Sequence, residues 1–223
     1  SDRSNGDLSL SVVDRADEGF VHGTSADLAV TVPESVAVST VEAGDGDVAV
    51  SEVSGDPDVT VDDGDVRVVG PGGDLTLTVD DGDAIVEGAG GSVDITGEDG
   101  DVRVDGADGT ATIEVEDGDV EVGGVGGVDQ VRAEDGDVDL SLEAIGSDGV
   151  VEADAGDVTV SLSAAVDGRV VARTDDGDIA TDGLDADITR ESEGSYVEAD
   201  FGGEGSRLLV NTDSGDIELT GRE

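Results

Sequence analysis

A chain of 223 residues with 58 acidic side chains against 10 basic ones carries a formal charge of −48, which excludes polyanions, nucleic acid and anionic membrane surfaces alike, as electrostatically attracted partners. All ten cations are arginines, and the absence of cysteine excludes disulfides, thiolate metal sites and cysteine nucleophiles. An apolar content of 35% with no Trp or Met, one Tyr and two Phe excludes a bulky aromatic core and leaves a thin interior of Val, Ala, Leu and Ile, residues that suit strands.

In chain order, the first 45 residues are the least regular. They hold a Gly-Asp pair at Gly6, the segment "GFVHGTS" with Phe20 and His22, and "SADLAV" around Ala26, read as looser coils and an N-terminal cap. From Gly46 the Gly-Asp pair returns at Gly64, Gly82, Gly100, Gly118 and Gly136, 18 residues apart each time. This regular region is expected to run over 46–160. Beyond it the spacing widens through Gly156 and Gly177 to Gly215, and "GSYVEA" around Ser195 reads as a degenerate unit, so 161–223 is expected to hold less regular coils. Gly6 to Gly215 spans 209 residues; twelve units make eleven intervals, a mean of 19.

Within a unit the apolar residues keep fixed offsets from the glycine. Val59 and Val61 stand five and three residues before Gly64, and Val66 and Val68 two and four after it; Ile95, Val102 and Val104 repeat the pattern around Gly100. A period of two on each side means two short strands per unit. The parity slips by one across the glycine, so the chain must bend there to keep both apolar sets on one interior. A second corner follows in "GPGG" at Gly70, "GAGG" at Gly88 and "GVGG" at Gly124, after Gly123. Two topologies fit: an antiparallel meander of hairpins, or coils stacked in parallel. Identical corners at a constant interval favour the second, an all-β parallel β-solenoid forming a single domain over 1–223, about twelve coils of 18–21 residues and about 55 Å long at about 4.8 Å per coil. "RLLVNTDSGDIELTGRE" at the C-terminus reads as a regular coil whose strand edge is left open or continued by further chain, which allows self-association through the solenoid ends.

The segment "VTVPESVAVSTVEAGDGDVAV" (Val30 to Val50) with the recurrent "SGDIxL" pattern, here "DSGDIEL" at Asp213 to Leu219, resembles the adhesin-type domain-of-unknown-function family of bacterial and archaeal envelopes. The resemblance implies a right-handed β-helix and an envelope setting, and it supplies no catalytic residues. The lysine-free acidic composition is similar to that of proteins from extreme halophiles, archaeal ones in particular. Physics gives the reason: carboxylates on neighbouring strands repel by about 0.9 kcal/mol in water, and a Debye length of about 3 Å at molar salt removes most of it.

The acidic corner is the one constellation with chemical potential. Stacked coils would set Asp62, Asp63 and Asp65 beside Asp80, Asp81 and Asp83, then Glu98, Asp99 and Asp101, then Glu116, Asp117 and Asp119, then Glu134, Asp135 and Asp137. Such a ladder suits Ca²⁺ or another hard cation. The nine-residue Ca²⁺-roll pattern fails in register, because Val102 stands where its aspartate belongs; the competing reading is a solvated face whose carboxylates hydrogen-bond turn amides. No cofactor is expected. Catalysis is not expected either: sugar-cleaving aspartates would lack aromatic platforms, His22 is the lone imidazole, and the glycine-rich turns have no lysine to hold phosphate. With no methionine and no apolar run long enough to span a bilayer, the chain reads as a processed or excised piece of an extracellular or envelope-associated protein, although acidic halophile proteins also occur in the cytoplasm. The expected function is a non-enzymatic adhesin-like or spacer module; a filament of solenoids stacked end to end and a Ca²⁺-dependent repeat module are the alternatives, and a cell-surface partner is the binding expectation.

Overall fold

The computed structural model describes residues 2–4, 7–9, 37–191, 195–202 and 205–222. It divides into two compact units, Ser1–Val32 and Pro33–Glu223. The cap assigned to Phe20 and His22 and the coil around Ala26 lie outside the described residues. In the first unit, β1 (Asp2–Ser4) and β2 (Asp7–Ser9) pair antiparallel, with Ser4 opposite Asp7. The strands on either side of the expected coil at Gly6 therefore pair antiparallel instead of stacking in parallel.

The second unit is a parallel β-solenoid. Its strands are β3 (Thr40–Asp45), β4 (Val48–Ser51), β5 (Asp58–Asp63), β6 (Val66–Val69), β7 (Leu75–Asp81), β8 (Ala84–Ala89), β9 (Val93–Asp99), β10 (Val102–Asp117), β11 (Val120–Asp135), β12 (Val138–Leu142), β13 (Gly149–Ala155) and β14 (Val158–Ser163). They continue with β15 (Arg169–Asp176), β16 (Ile179–Asp182), β17 (Asp187–Arg190), β18 (Tyr196–Asp200), β19 (Arg207–Ser214) and β20 (Ile217–Arg222). Strands entering an acidic corner stack on one another: β3, β5, β7, β9, the second halves of β10 and β11, then β13. Strands leaving the corner form a second sheet: β4, β6, β8, the first halves of β10 and β11, then β12 and β14. β10 and β11 are long because the chain passes through the second corner without losing its ladder, at the cost of register shifts after Ala107 and Ala111.

The predicted parity sets the core. Val59, Val61, Val66 and Val68 are all buried, as are Ile95, Val102 and Val104 on either side of Gly100, while the alternate residues face out. Each rung thus contributes a layer of aliphatic side chains to one continuous interior. Phe201 packs against the edge of that interior and no aromatic is fully buried among the described residues.

In chain order the solenoid makes about seven turns from Gly46 to Gly177, and the rung at Gly215 is stacked among them; the expected twelve coils are not reached among the described residues, because the units at Gly6 and Ser195 hold antiparallel pairs. The expected unit at Ser195 belongs to an antiparallel cap: β18 pairs with β15, and β17 pairs with β18. Its chain runs back across the end of the stack, so its hydrogen bonds can only be antiparallel. The final rung is also out of order. β19 lies between β13 and β15, and β20 between β14 and β16, parallel to both neighbours. The expected open C-terminal edge is accordingly an interior rung with both ladders filled, and the rung at Gly177 stands outside it.

Candidate functional site

Each acidic corner is built the same way. The incoming strand ends in two carboxylates, the chain turns at glycine, and an aspartate leads into the outgoing strand. At Gly100 the amide donates forward to the Asp117 carbonyl at 2.9 Å, and Val102 donates forward to the Asp119 carbonyl at 2.9 Å. Between them the Asp101 amide points back, where the ladder offers it no carbonyl. The carboxylate of Asp83, one rung behind, accepts it through Oδ1 at 3.0 Å. Asp101 Oδ1 does the same for the Asp119 amide at 2.9 Å.

This aspartate ladder is continuous. It runs from Asp47 to Asp65, Asp83, Asp101, Asp119, Asp137 and Asp157, each carboxylate accepting the next rung's amide at 2.8 to 3.3 Å. It then passes through Asp216 to Asp178 at 2.8 Å, following the spatial order of rungs instead of the chain order. A buried or crowded main-chain donor left without an acceptor costs free energy comparable to a lost hydrogen bond, so a carboxylate or amide oxygen at this position is built into the corner. The glycine has an equally local cause. Gly64 has φ of +140°, and a Cβ placed on it would lie 2.6 Å from the Gly46 carbonyl oxygen. Corner glycines lie directly over one another, so there is no room for a side chain.

Of the fifteen residues in the proposed cation ladder, the structure brings the post-glycine five, Asp65, Asp83, Asp101, Asp119 and Asp137, into the ladder just described. The pre-glycine residues Asp63, Asp81, Asp99, Asp117 and Asp135 are also in register, one per rung, and exposed. Asp62, Asp80, Glu98, Glu116 and Glu134 precede them on the solvent-facing side of the strand ends. Among the described residues, no three acidic or histidine side chains form a group that could hold a metal ion.

Along the outgoing face runs an open groove of about 590 Å³, bordered by Asp83, Asp101, Asp119, Asp137 and Asp157. Arg103 sits in it, bonded to Glu121 of the next rung and to Asp105 at 3.1 Å. Arg132 likewise reaches Asp154 at 2.8 Å and Glu152 at 3.4 Å, and Arg67 reaches Glu87 at 2.6 Å. Apart from Arg103–Asp105, which lies within one strand, these pairs span neighbouring rungs, and each relieves local repulsion at about 0–1 kcal/mol. The acidic neighbours hold the Arg103 and Arg132 guanidinium groups still more firmly protonated than usual, through the hydrogen bonds Arg103 donates to Asp105 and Glu121 and through the charge of Asp154 beside Arg132.

Two polar side chains that pattern reading overlooked are buried: Thr174 and Thr212. Each hydroxyl donates to a corner glycine carbonyl of an adjacent rung, Thr174 to Gly215 at 3.0 Å and Thr212 to Gly156 at 3.2 Å. They occupy the position three residues before their own corner glycine, where Val61 and Val79 stand elsewhere, and that substitution of Thr for Val was the available signal.

A family model described as Toastrack DUF4097 matches residues 1–90 and again residues 73–220. No curated protein and no solved structure matches the chain.

Proposed function

The chain belongs to the Toastrack DUF4097 family, and on that premise we propose that it serves as a non-enzymatic structural solenoid, an adhesin-like or spacer module of the cell envelope working in concentrated salt. The observation that carries this reading is the aspartate ladder. The most strictly repeated acidic residues of the sequence are engaged in joining rung to rung, so the motif that looks like a repeated binding site is accounted for by construction. The buried polar side chains among the described residues are two threonines, and both are spent on corner carbonyls. The remaining carboxylates form a hydrated surface, which suits a haloarchaeal-like setting in which salt screens it. The right-handed coil implied by the family resemblance belongs to the same reading, as does the expectation of no cofactor and of a cell-surface partner.

Surface labelling of intact source cells with a membrane-impermeant amine-independent reagent, followed by immunodetection of the full chain, tests the envelope assignment. Labelling comparable to a known surface protein is the expected result, and protection until the cells are lysed would overturn it. Small-angle scattering in about 2 M salt separates a single-molecule spacer from end-to-end filaments.

A further inference from the structure

The last rung, β19–β20, is a wedge between two rungs that are complementary to each other. Gly149, Val150, Val151, Glu152 and Ala153 of β13 face Leu208 to Thr212 of β19, and those same residues face Val170 to Thr174 of β15 on the other side. Remove β19 and the columns match directly: Val151 meets Ala172, and Glu152 meets Arg173, an opposite-charge pair that Asn211 now separates. The second sheet agrees. Val158, Val160 and Ser161 share columns with Ile217, Leu219 and Thr220, and these with Ile179, Thr181 and Asp182. The corner would also close, with Gly156 against Gly177 and Asp157 Oδ1 available to the Asp178 amide that Asp216 now serves.

We infer that the solenoid has two closed states, one with residues 207–222 inserted and one with those residues released and β15–β16 seated directly on β13–β14, and that salt selects between them. The inserted segment carries Arg207 and Arg222 to set against Asp213, Asp216 and Glu218, and its electrostatic cost lies in two acidic columns. It places Asp216 between Asp157 and Asp178, and Asp213 level with Asp154 and Asp175, so two columns gain a carboxylate flanked on both sides by others. The spacing is about 4.8 Å; the Debye length is about 3 Å at molar salt and about 30 Å at 0.01 M, so the repulsion is screened only in concentrated salt. What insertion gains is the burial of Leu208, Val210, Ile217 and Leu219, together with ladders on both sides. Both terms act on the same rung, and concentrated salt favours insertion through each, by screening the repulsion and by strengthening apolar burial.

Hydrogen exchange of the unmodified chain, followed by mass spectrometry while salt is lowered in steps from about 2 M, reads the two states directly. Amides of 207–222 are expected to exchange at least tenfold faster at a salt concentration where 149–155 and 169–176 stay protected; loss of protection in all three segments together would overturn the inference. Because the chain has no cysteine, engineered pairs give a second readout. Ser161 Oγ lies 3.0 Å from Thr220 Oγ1, whereas Asp182 is two rungs from Ser161, about 9.6 Å away and beyond the about 7 Å that a disulfide spans. The S161C/T220C pair should close in molar salt and S161C/D182C only after salt is lowered. Failure of S161C/D182C to close at any salt that preserves the strand signal overturns the released state.

Discussion

At the residue scale the repeated "GD" has two separable causes, and substitutions tell them apart. Gly100, at φ of +138° and stacked on Gly82, lacks both the conformational and the spatial freedom to carry a side chain. G100A is expected to cost about 3 kcal/mol or more in a denaturant titration at molar salt. Gly88 also has positive φ, +64°, but a Cβ there meets nothing within 4 Å, so G88A should cost only about 1 kcal/mol. At Asp101 what matters is the acceptor, not the charge. D101A strands the Asp119 amide and should lose about 1 kcal/mol at molar salt, whereas D101N keeps the oxygen and removes a negative charge. In dilute buffer D101N should melt above the parent; a lower melting point would mean that the charge itself is used, as a cation site requires.

At the element scale, burial is concentrated in the inward rows, and the outer strand of the cap, β17, is exposed along its whole length. Ile113 is fully buried within β10, and I113A should cost about 3 kcal/mol, while Ile188 on the outer strand of the cap is 40% exposed and I188A should stay within about 0.5 kcal/mol. The cap also carries a pH dependence. The Asp200 carboxyl is held below its usual range by the Gly202 amide and then by Arg169. It binds its proton less readily folded than unfolded, so its contribution is present above the unfolded pKa and disappears as pH falls through the lowered folded value. Tyr196 works in the opposite sense: its hydroxyl donates to Glu198 at 2.7 Å, which raises its pKa, and that contribution is lost as pH rises through the raised value. Protection factors of the β18 amides, corrected for the intrinsic pH dependence of exchange, should therefore fall at both extremes, and D200N should flatten the acid limb alone.

At the scale of the whole molecule the charge of −48 predicts the solution behaviour. Neighbouring rungs carry in-register carboxylates from Asp45 to Asp135, so the melting temperature should rise steeply between about 0.1 and 2 M monovalent salt. EDTA at constant ionic strength is expected to leave that melt unchanged. A fall of several degrees would restore the Ca²⁺ reading of the ladder from Asp62 to Asp137.

Much of this architecture is legible without coordinates. Offsets of two and three residues around each glycine identify the buried side of every strand from Val59 to Val160, because the period of a strand is a local property and the bend at Gly-Asp is a local necessity. The same letters misdirect at both ends. Around Gly6 and Ser195 the pattern looks like further coils, yet the described strands there pair antiparallel, and strand direction is not encoded in side-chain alternation. The role of the corner aspartates was ambiguous for a related reason: a carboxylate that binds a cation and one that accepts an amide are the same letter, and only the neighbouring rung shows that the Asp101 amide faces backwards. Rung composition thus follows from sequence alone, since it rests on side-chain alternation and turn chemistry within some eighteen residues. The order of rungs was decided by tertiary structure, because β19–β20 fits any pair of like neighbours, and only competition among those slots for burial and ladder partners places it between β13–β14 and β15–β16.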